Sequence, residues 1–296
     1  MAMSVRMTQD ATRSRLRRLT VAALLSVAAV GSAEAQSVHW AYAAFFGTGR
    51  YSLDGESETT VLRIAPGHVL RPAAVDDAGA RTVGIRLKFP LAIGAHEFES
   101  PDLLPTFSFS NINSFSIVPG VELDVPIAAH WSLKPLTYVG WGTETGGDVN
   151  AAIFRLGLRS ERVFQPGATG VTLYNSLLRM GYSANDDTSS AVNLFEIGLD
   201  FSRALSNRKI GDAPVQIFWH VLYTSYFDEL SLDSGDLALE TAGIDSEWEI
   251  GAGFGRQGAR LTLWRLKIDR VGIAYRFDSD GQFSGVGIVF KSLFDR

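Results

Sequence analysis

The chain has 296 residues, 46% of them hydrophobic and 11% aromatic, with a formal net charge of -5 and no cysteine. Absent cysteine excludes a disulfide scaffold and any thiolate-held metal. The acidic balance argues against nucleic acid as a partner, and the length suffices for one large domain.

Arg13, Arg15, Arg17 and Arg18 precede an apolar run from Leu19 to Val30, and Ala33-Glu34-Ala35 then offers a small-x-small cleavage site before Gln36. These are the n-, h- and c-regions of a secretory signal peptide, and the run is too short to span a bilayer as a helix. Residues 1–35 are therefore expected to be a cleavable signal for general secretion, and residues 36–296 the mature domain. No later apolar run reaches about eighteen residues, so no membrane helix is predicted.

Beyond the signal the side-chain period is two, the mark of a strand. The first predicted strand, 38–46, sets Trp40, Tyr42, Ala44 and Phe46 on one face, and a short second strand covers 59–64. A third, 82–89, sets Val83, Ile85, Leu87 and Phe89 against Arg86 and Lys88. The clearest pair follows at 114–127 and 131–143. Phe115, Ile117, Val121, Leu123, Val125 and Ile127 oppose Ser114, Ser116, Gly120, Glu122 and Asp124; Trp131, Leu133, Val139 and Trp141 oppose Ser132, Lys134, Tyr138, Gly140 and Gly142. Further strands are predicted at 150–160, 171–182, 191–203, 214–227 and 246–255. Phe195, Ile197, Leu199 and Phe201 stand against Glu196, Gly198 and Asp200 in the third of these. From 259 to 277 the phase breaks between Ile268 and Val271, read as one long strand with a bulge at Asp269-Arg270. The turn Asp278-Ser279-Asp280-Gly281 leads to a last strand, 283–294.

The central pair holds its alternation for about a dozen residues each, whereas soluble strands run about five or six. A tilted strand crossing a bilayer needs about nine to eleven. Lipid cannot satisfy an open sheet edge, so an exported membrane protein without a spanning helix must close a barrel. The predicted fold is all-β: a closed antiparallel transmembrane β-barrel of about twelve strands, within roughly ten to fourteen. With both ends in the periplasm, the long connections 90–113 and 228–245 face outward, and the short 128–130 and 256–258 face inward. Trp40, Trp131, Trp141 and Trp248 are expected in interfacial girdles.

The inward phase collects charges of both signs: Arg86, Lys88, Glu122, Asp124, Lys134, Arg155, Arg159, Arg179, Glu196, Asp200, Glu247, Glu249, Arg265, Lys267, Arg276 and Lys291. Glu122 and Asp124 are expected to face Lys134, and Glu247 and Glu249 to face Arg265 and Lys267. Such charges either line a narrow pore or pair to fill the interior and fix register; a lumen of about twelve strands lies between filled and open barrels.

His130 and Ser132, with Glu144 twelve residues later, match the His-x-Ser spacing of outer-membrane phospholipase A and lipid A deacylase, in which an imidazole takes the serine proton. Leu-Lys-Pro follows Ser132 where the phospholipase has Asn-Gly, and topology puts His130 in a periplasmic turn, away from the outer leaflet. The favoured reading is a turn histidine and a lumen serine, with no enzyme. His39, His68, His96 and His220 have no metal-ligand spacing and are read as surface or lumen residues. Asn185-Asp186-Asp187 and Asp233 with Asp236 are read as solvated loops rather than Ca²⁺ sites. No metal and no cofactor is predicted.

The opening Phe45-Phe46-Gly47-Thr48-Gly49-Arg50-Tyr51, Val118-Pro119-Gly120-Val121-Glu122-Leu123 with Trp131-Ser132-Leu133-Lys134-Pro135, and the ending Tyr275-Arg276-Phe277 resemble the twelve-stranded autotransporter β-domains, above all their solitary, passenger-less relatives. The last strand resembles the C-terminal signal by which outer-membrane barrels are recognised for assembly. The resemblance implies a Gram-negative outer-membrane location, contact with outer-membrane lipid and lipopolysaccharide, and the barrel assembly machinery as a partner in biogenesis. The expected function is a narrow pore or passive solute channel; a structural or adhesive surface barrel with a filled lumen is the alternative, and a lipid hydrolase using His130 and Ser132 stands third.

Overall fold

A computed structural model describes residues 40–53, 57–76, 79–98, 112–145, 148–164, 169–232, 242–257, 261–263, 266–268 and 270–293. The expected signal at 1–35, with Val38 and His39 of the first predicted strand, lies outside them. The described residues form a closed barrel of twelve antiparallel strands.

In order these are β1 (Gly49–Leu53), β2 (Ser57–Ile64, continued by Gly67–Arg71), β3 (Gly84–Lys88 with Leu91–Phe98) and β4 (Ser114–Ile117 with Gly120–Ala128). Then come β5 (Trp131–Glu144), β6 (Asn150–Phe164), β7 (Thr169–Ala184) and β8 (Ser189–Ile210). β9 (Ala213–Leu232), β10 (Ala242–Arg256), β11 (Arg270–Asp278) and β12 (Phe283–Val289) complete the set. Each strand pairs with its neighbours in sequence, and β12 pairs with β1 to close the ring. The end at which β12 finishes is called the lower rim below.

Alternation decides which face looks where. Ile273 is 67% exposed and Val139 62%, whereas Lys88 is 2% exposed and Glu249 3%. The oily phase faces outward and the polar phase inward. Ile197 is exposed, with Phe195 and Leu199 in the same outward phase. Outward aromatics pair between neighbouring strands, Tyr223 with Trp248 and Phe201 with Trp219. The Trp131 indole donates to Ser160 Oγ at 2.9 Å.

Prolines explain why three strands are split. Proline has no N–H to give the ladder, so a strand containing one loses a rung. Pro66, Pro90 and Pro119 lie on three successive strands, and each still accepts through its carbonyl: from Phe89 N at 2.9 Å, Val118 N at 2.9 Å and Val139 N at 3.0 Å. The wall bends at this level without opening. Part of the 90–113 connection, and part of 65–80 between the predicted strands 59–64 and 82–89, is thereby strand.

The structure corrects three sequence expectations. The described part of 38–46 does not supply the first strand: Trp40–Ala44 is a 3₁₀ turn, and Ala41, Ala43 and the adjacent Ala44 are all buried, unlike the one-sided alternation of the barrel wall. Trp40 thus belongs to no strand end. The 259–277 stretch is not one bulged strand but a small hairpin, Leu261–Leu263 against Leu266–Ile268, followed by β11. Among the described residues the hairpin pairs only with itself, so the phase break marks a junction between elements. The last strand stops at Val289, and Leu293 turns into the interior; Phe294 and the assembly signal it was expected to end lie outside the described residues.

Candidate functional site

The lumen divides into two halves. Its upper half is mainly apolar, with Ser114, Ser116 and Asp278 also buried there. The 3₁₀ turn Trp40–Ala44 sits there, its alanines packed among inward side chains that include Ala92, Val118, Leu136, Ile153, Leu178 and Tyr182. Alanine's small side chain is what lets a backbone segment fit inside a ring of larger ones. From this turn the chain descends to Thr48 and enters β1, where Tyr51 stacks on Phe283 with ring centroids 6.0 Å apart.

Below lie four charged clusters. In the first, Glu122 on β4 receives Lys88 Nζ at 3.2 Å, Arg159 Nη1 at 3.1 Å and the Tyr138 hydroxyl at 2.6 Å. In the second, Glu196 on β8 accepts from Tyr174 Oη and Ser176 Oγ, each at 2.5 Å. In the third, Glu249 on β10 meets His220 Nε2 at 2.6 Å and Arg276 Nε at 2.5 Å, and Glu247 lies 3.7 Å from the same guanidinium. In the fourth, Arg270 at the foot of β11 reaches Asp200 on β8 at 2.7 Å and lies over the Phe218 ring, 3.9 Å from its centroid. Lys134 and Glu161 form a further pair closer to the lower rim.

Opposite-charge pairs on neighbouring strands penalise a one-residue slip, which would carry each group to the lipid face. Glycines make the room. A Cβ on Gly120 would fall 2.3 Å from Tyr138 Cδ1, and one on Gly251 would fall 2.2 Å from His220 Cε1. The rings lie flat against bare backbone on the adjacent strand.

From below, Leu293 is buried against Tyr174 and Leu222, far round the wall from its own strand. Between this closure and the apolar upper half a cavity of about 340 Å³ remains, walled by Arg155, Arg159, Glu196, Glu249 and Arg276 among others.

Of the sequence candidates, Arg86, Lys88, Glu122, Asp124, Lys134, Arg155, Arg159, Glu196, Asp200, Glu247, Glu249 and Arg276 lie on the inward phase of their strands, and Lys291 follows the last strand, donating to Ala65 O. Several expected partners differ. Lys134 pairs with Glu161 rather than Glu122. Glu247 stands opposite Asp278 and Glu249 opposite Arg276, not opposite Arg265 and Lys267. Lys267 sits in the small hairpin, paired with Thr262, and Arg265 lies outside the described residues. Arg179 is on the outward phase of β7, donating to Asn193 Oδ1 at 3.2 Å.

His130, Ser132 and Glu144 are not brought together. His130 is exposed in the turn before β5, Ser132 opposes Glu161, and Glu144 ends the same strand. At about 3.3 Å per residue, twelve residues of strand put it roughly 40 Å from Ser132. Asp186 accepts from Thr188 N at 3.1 Å and Thr188 Oγ1 at 2.6 Å, so the carboxylate closes its own turn. Asp233 and Asp236 lie outside the described residues. Sequence reasoning missed Arg270, assigned to a bulge, and gave His220 no role. Continuing the inward phase of β9 through Phe218, His220, Leu222 and Thr224 would have found the histidine.

No protein-family model matches the sequence, and no curated protein matches it. Solved structures do. The translocator domain of the autotransporter NalP from Neisseria meningitidis is 10% identical, with a TM-score of 0.50 over 82% of this chain and 85% of that one. The beta domain of the Bordetella autotransporter BrkA is 11% identical, TM-score 0.46, covering 82% of this chain and 95% of that one. The transport unit of AIDA-I from Escherichia coli is 14% identical, TM-score 0.43, covering 82% and 88%. The likeness to the NalP domain is one of fold: this chain forms an autotransporter-type twelve-strand barrel.

Proposed function

We propose that the chain is an integral outer-membrane β-barrel whose lumen is closed by its Trp40–Ala44 turn, by Leu293 and by its own charges, a surface or structural barrel rather than a standing pore. A belt of outward apolar side chains around a ring with no open edge is what a bilayer demands of a spanning sheet. Export would follow from cleavage after Ala35, insertion from the barrel assembly machinery, and the outward belt would meet outer-membrane lipid and lipopolysaccharide.

One observation carries the closed-lumen reading. Ala41, Ala43 and Ala44 are 1%, 5% and 3% exposed inside the upper lumen, and Leu293 is 3% exposed inside the lower. Chain segments fill the cross-section where an open channel would hold water. The pore reading retains one favourable feature, the mid-lumen cavity of about 340 Å³, which a displaced upper segment would connect to the outside.

Two measurements separate the readings. Heat-modifiable gel migration of the outer-membrane fraction tests the barrel and its location, and a protein recovered soluble from the periplasm would end both. Conductance across a planar bilayer tests the lumen. The purified chain is expected to be electrically silent, and steady ohmic current from it would restore the channel.

A further inference from the structure

The barrel wall has one weak line. β1 is five residues long, and it is the only strand joining β2 to β12 among the described residues. Gly49, its first residue, is level with Val61 and Gly287, yet β2 continues down to Arg71 and the chain after β12 runs on to Leu293. Below Gly49 the gap between them is bridged by side chains and a single loop residue. Thr48 O accepts from Ile288 N at 2.8 Å, Thr48 Oγ1 donates to Arg63 O at 2.8 Å, and Lys291 Nζ donates to Ala65 O at 2.6 Å. Among the described residues no ladder hydrogen bond joins β2 directly to β12.

The mid-lumen cavity lies behind this line. Its inner wall carries the guanidinium groups of Arg63, Arg155, Arg159 and Arg276 and the Lys291 ammonium, against two carboxylates, Glu196 and Glu249. Both carboxylates are already engaged, by Tyr174 and Ser176 and by His220 and Arg276 respectively. Glu122 behind Arg159 and Glu247 beside Arg276 offset part of this charge, and the lining itself carries more basic groups than carboxylates. Arg159 is 2% exposed, and the Nε atoms of Arg155 and Arg159 are buried with no hydrogen-bond partner among the described residues. Arg155 and Arg159 both line the cavity, so an anionic oxygen held in it meets two guanidinium groups at once.

The cavity's other boundary is oily and reaches the outside. Leu62, Ile64, Ile288 and Phe290 line it, and Ile64, Ile288 and Phe290 are also exposed on the outer surface, where the wall faces lipid. Its volume, about 340 Å³, is at the lower end of small-molecule sites, enough for a head group and the first few carbons.

From this geometry we infer that the seam between β2 and β12 binds an anionic single-chain amphiphile, its carboxylate or phosphate monoester held by Arg155 and Arg159 inside the lumen and its acyl chain leaving past Ile64 and Ile288 into the bilayer. A bare anion satisfies only the arginines, and a neutral lipid only the seam. The two head groups share one chemistry, two oxygens matched to a guanidinium fork. The inference rests on the barrel standing in a membrane with its lumen closed at both ends, since an open pore would hydrate the arginines.

The test uses the full protein in phosphatidylcholine nanodiscs, with 11-(dansylamino)undecanoic acid as a fluorescent probe. Saturable binding is expected, displaced by palmitate and by dodecyl phosphate, and unaffected by acetate or inorganic phosphate at the same concentration. Which of the two long-chain anions displaces the probe at lower concentration identifies the head group. Arg155→Gln is expected to raise the probe's apparent Kd about tenfold, and Arg155→Lys, which keeps the charge and loses the fork, by less. Ile288→Trp, which fills the seam and leaves the arginines, should also weaken the probe.

Heat-modifiable migration of each variant shows that it has folded. Folded protein without saturable binding, Arg155→Gln binding as tightly as wild type, or inorganic phosphate displacing the probe where palmitate does not would each overturn the inference. Flotation of reconstituted vesicles separates the two claims: protein that floats and does not bind refutes the ligand alone, and protein that does not float refutes the membrane reading beneath it.

Discussion

The upper and lower halves of the lumen solve the same problem by opposite means. Each must fill the space inside a ring too wide for side chains from the wall to meet everywhere. The upper half does it with carbon: an inserted 3₁₀ turn, three alanines and a packed set of apolar and aromatic groups. The lower half does it with charge, clusters that reach Lys88 to Glu122 and Arg270 to Asp200. Packed carbon leaves no room, whereas long charged side chains meet at their tips and leave space between their stems. The cavity lies on the charged side of that divide. If the two halves differ as described, they should fail differently.

Removing one member of a buried ion cluster is expected to cost most. Glu122→Ala strands Lys88 and Arg159, both about 2% exposed, without their counter-charge. The expected loss is about 4 kcal/mol of stability, read from urea titration of refolding into vesicles. A triple variant, Lys88→Met, Glu122→Leu and Arg159→Met, should recover most of it. If it does not, the lower half depends on its charges for more than filling. In the upper half Leu178→Ala, at a fully buried side chain, is expected to cost about 3 kcal/mol by leaving a void. No companion change of charge should restore it.

Gly251→Ala sits next in order, at about 2 kcal/mol. The added methyl would lie 2.2 Å from the His220 ring, forcing it off Glu249. An accompanying His220→Ala should relieve the clash, and a double variant no better than the single one would show that the glycine answers to something else.

Much of the fold is legible in the residues. The alternation from Ser114 to Thr143 marks inside and outside correctly over both strands, because one face meets lipid and the other does not. Where that asymmetry vanishes the reading fails. In Trp40–Ala44 the three alanines are all buried, so the alternation there carries no information about a sheet. The split at Pro66, Pro90 and Pro119 looks like loop in sequence because a proline breaks a ladder locally, yet the neighbouring strands hold the chain in register. The lumen charges are recoverable from phase, but their partners mostly are not. Arg270 finds Asp200 three strands away, and Leu293 finds Tyr174 and Leu222 across the barrel; such contacts depend on how the ring closes, which no local pattern encodes.

The smallest effect belongs to the pair nearest the rim. Lys134 and Glu161 pair diagonally between β5 and β6, with side chains 12% and 22% exposed, so water already screens them. Lys134→Ala is expected to cost less than about 1 kcal/mol, and what it costs should shrink as salt is raised. The Glu122 cluster offers the control, since its side chains are 3–4% exposed and salt should barely move the loss there. Measuring both variants at low and high ionic strength therefore reads out how deep the dry part of the charged lumen extends. An Ala substitution at Lys134 as costly and as salt-insensitive as one at Glu122 would mean that the lower rim is sealed from water by something beyond Leu293.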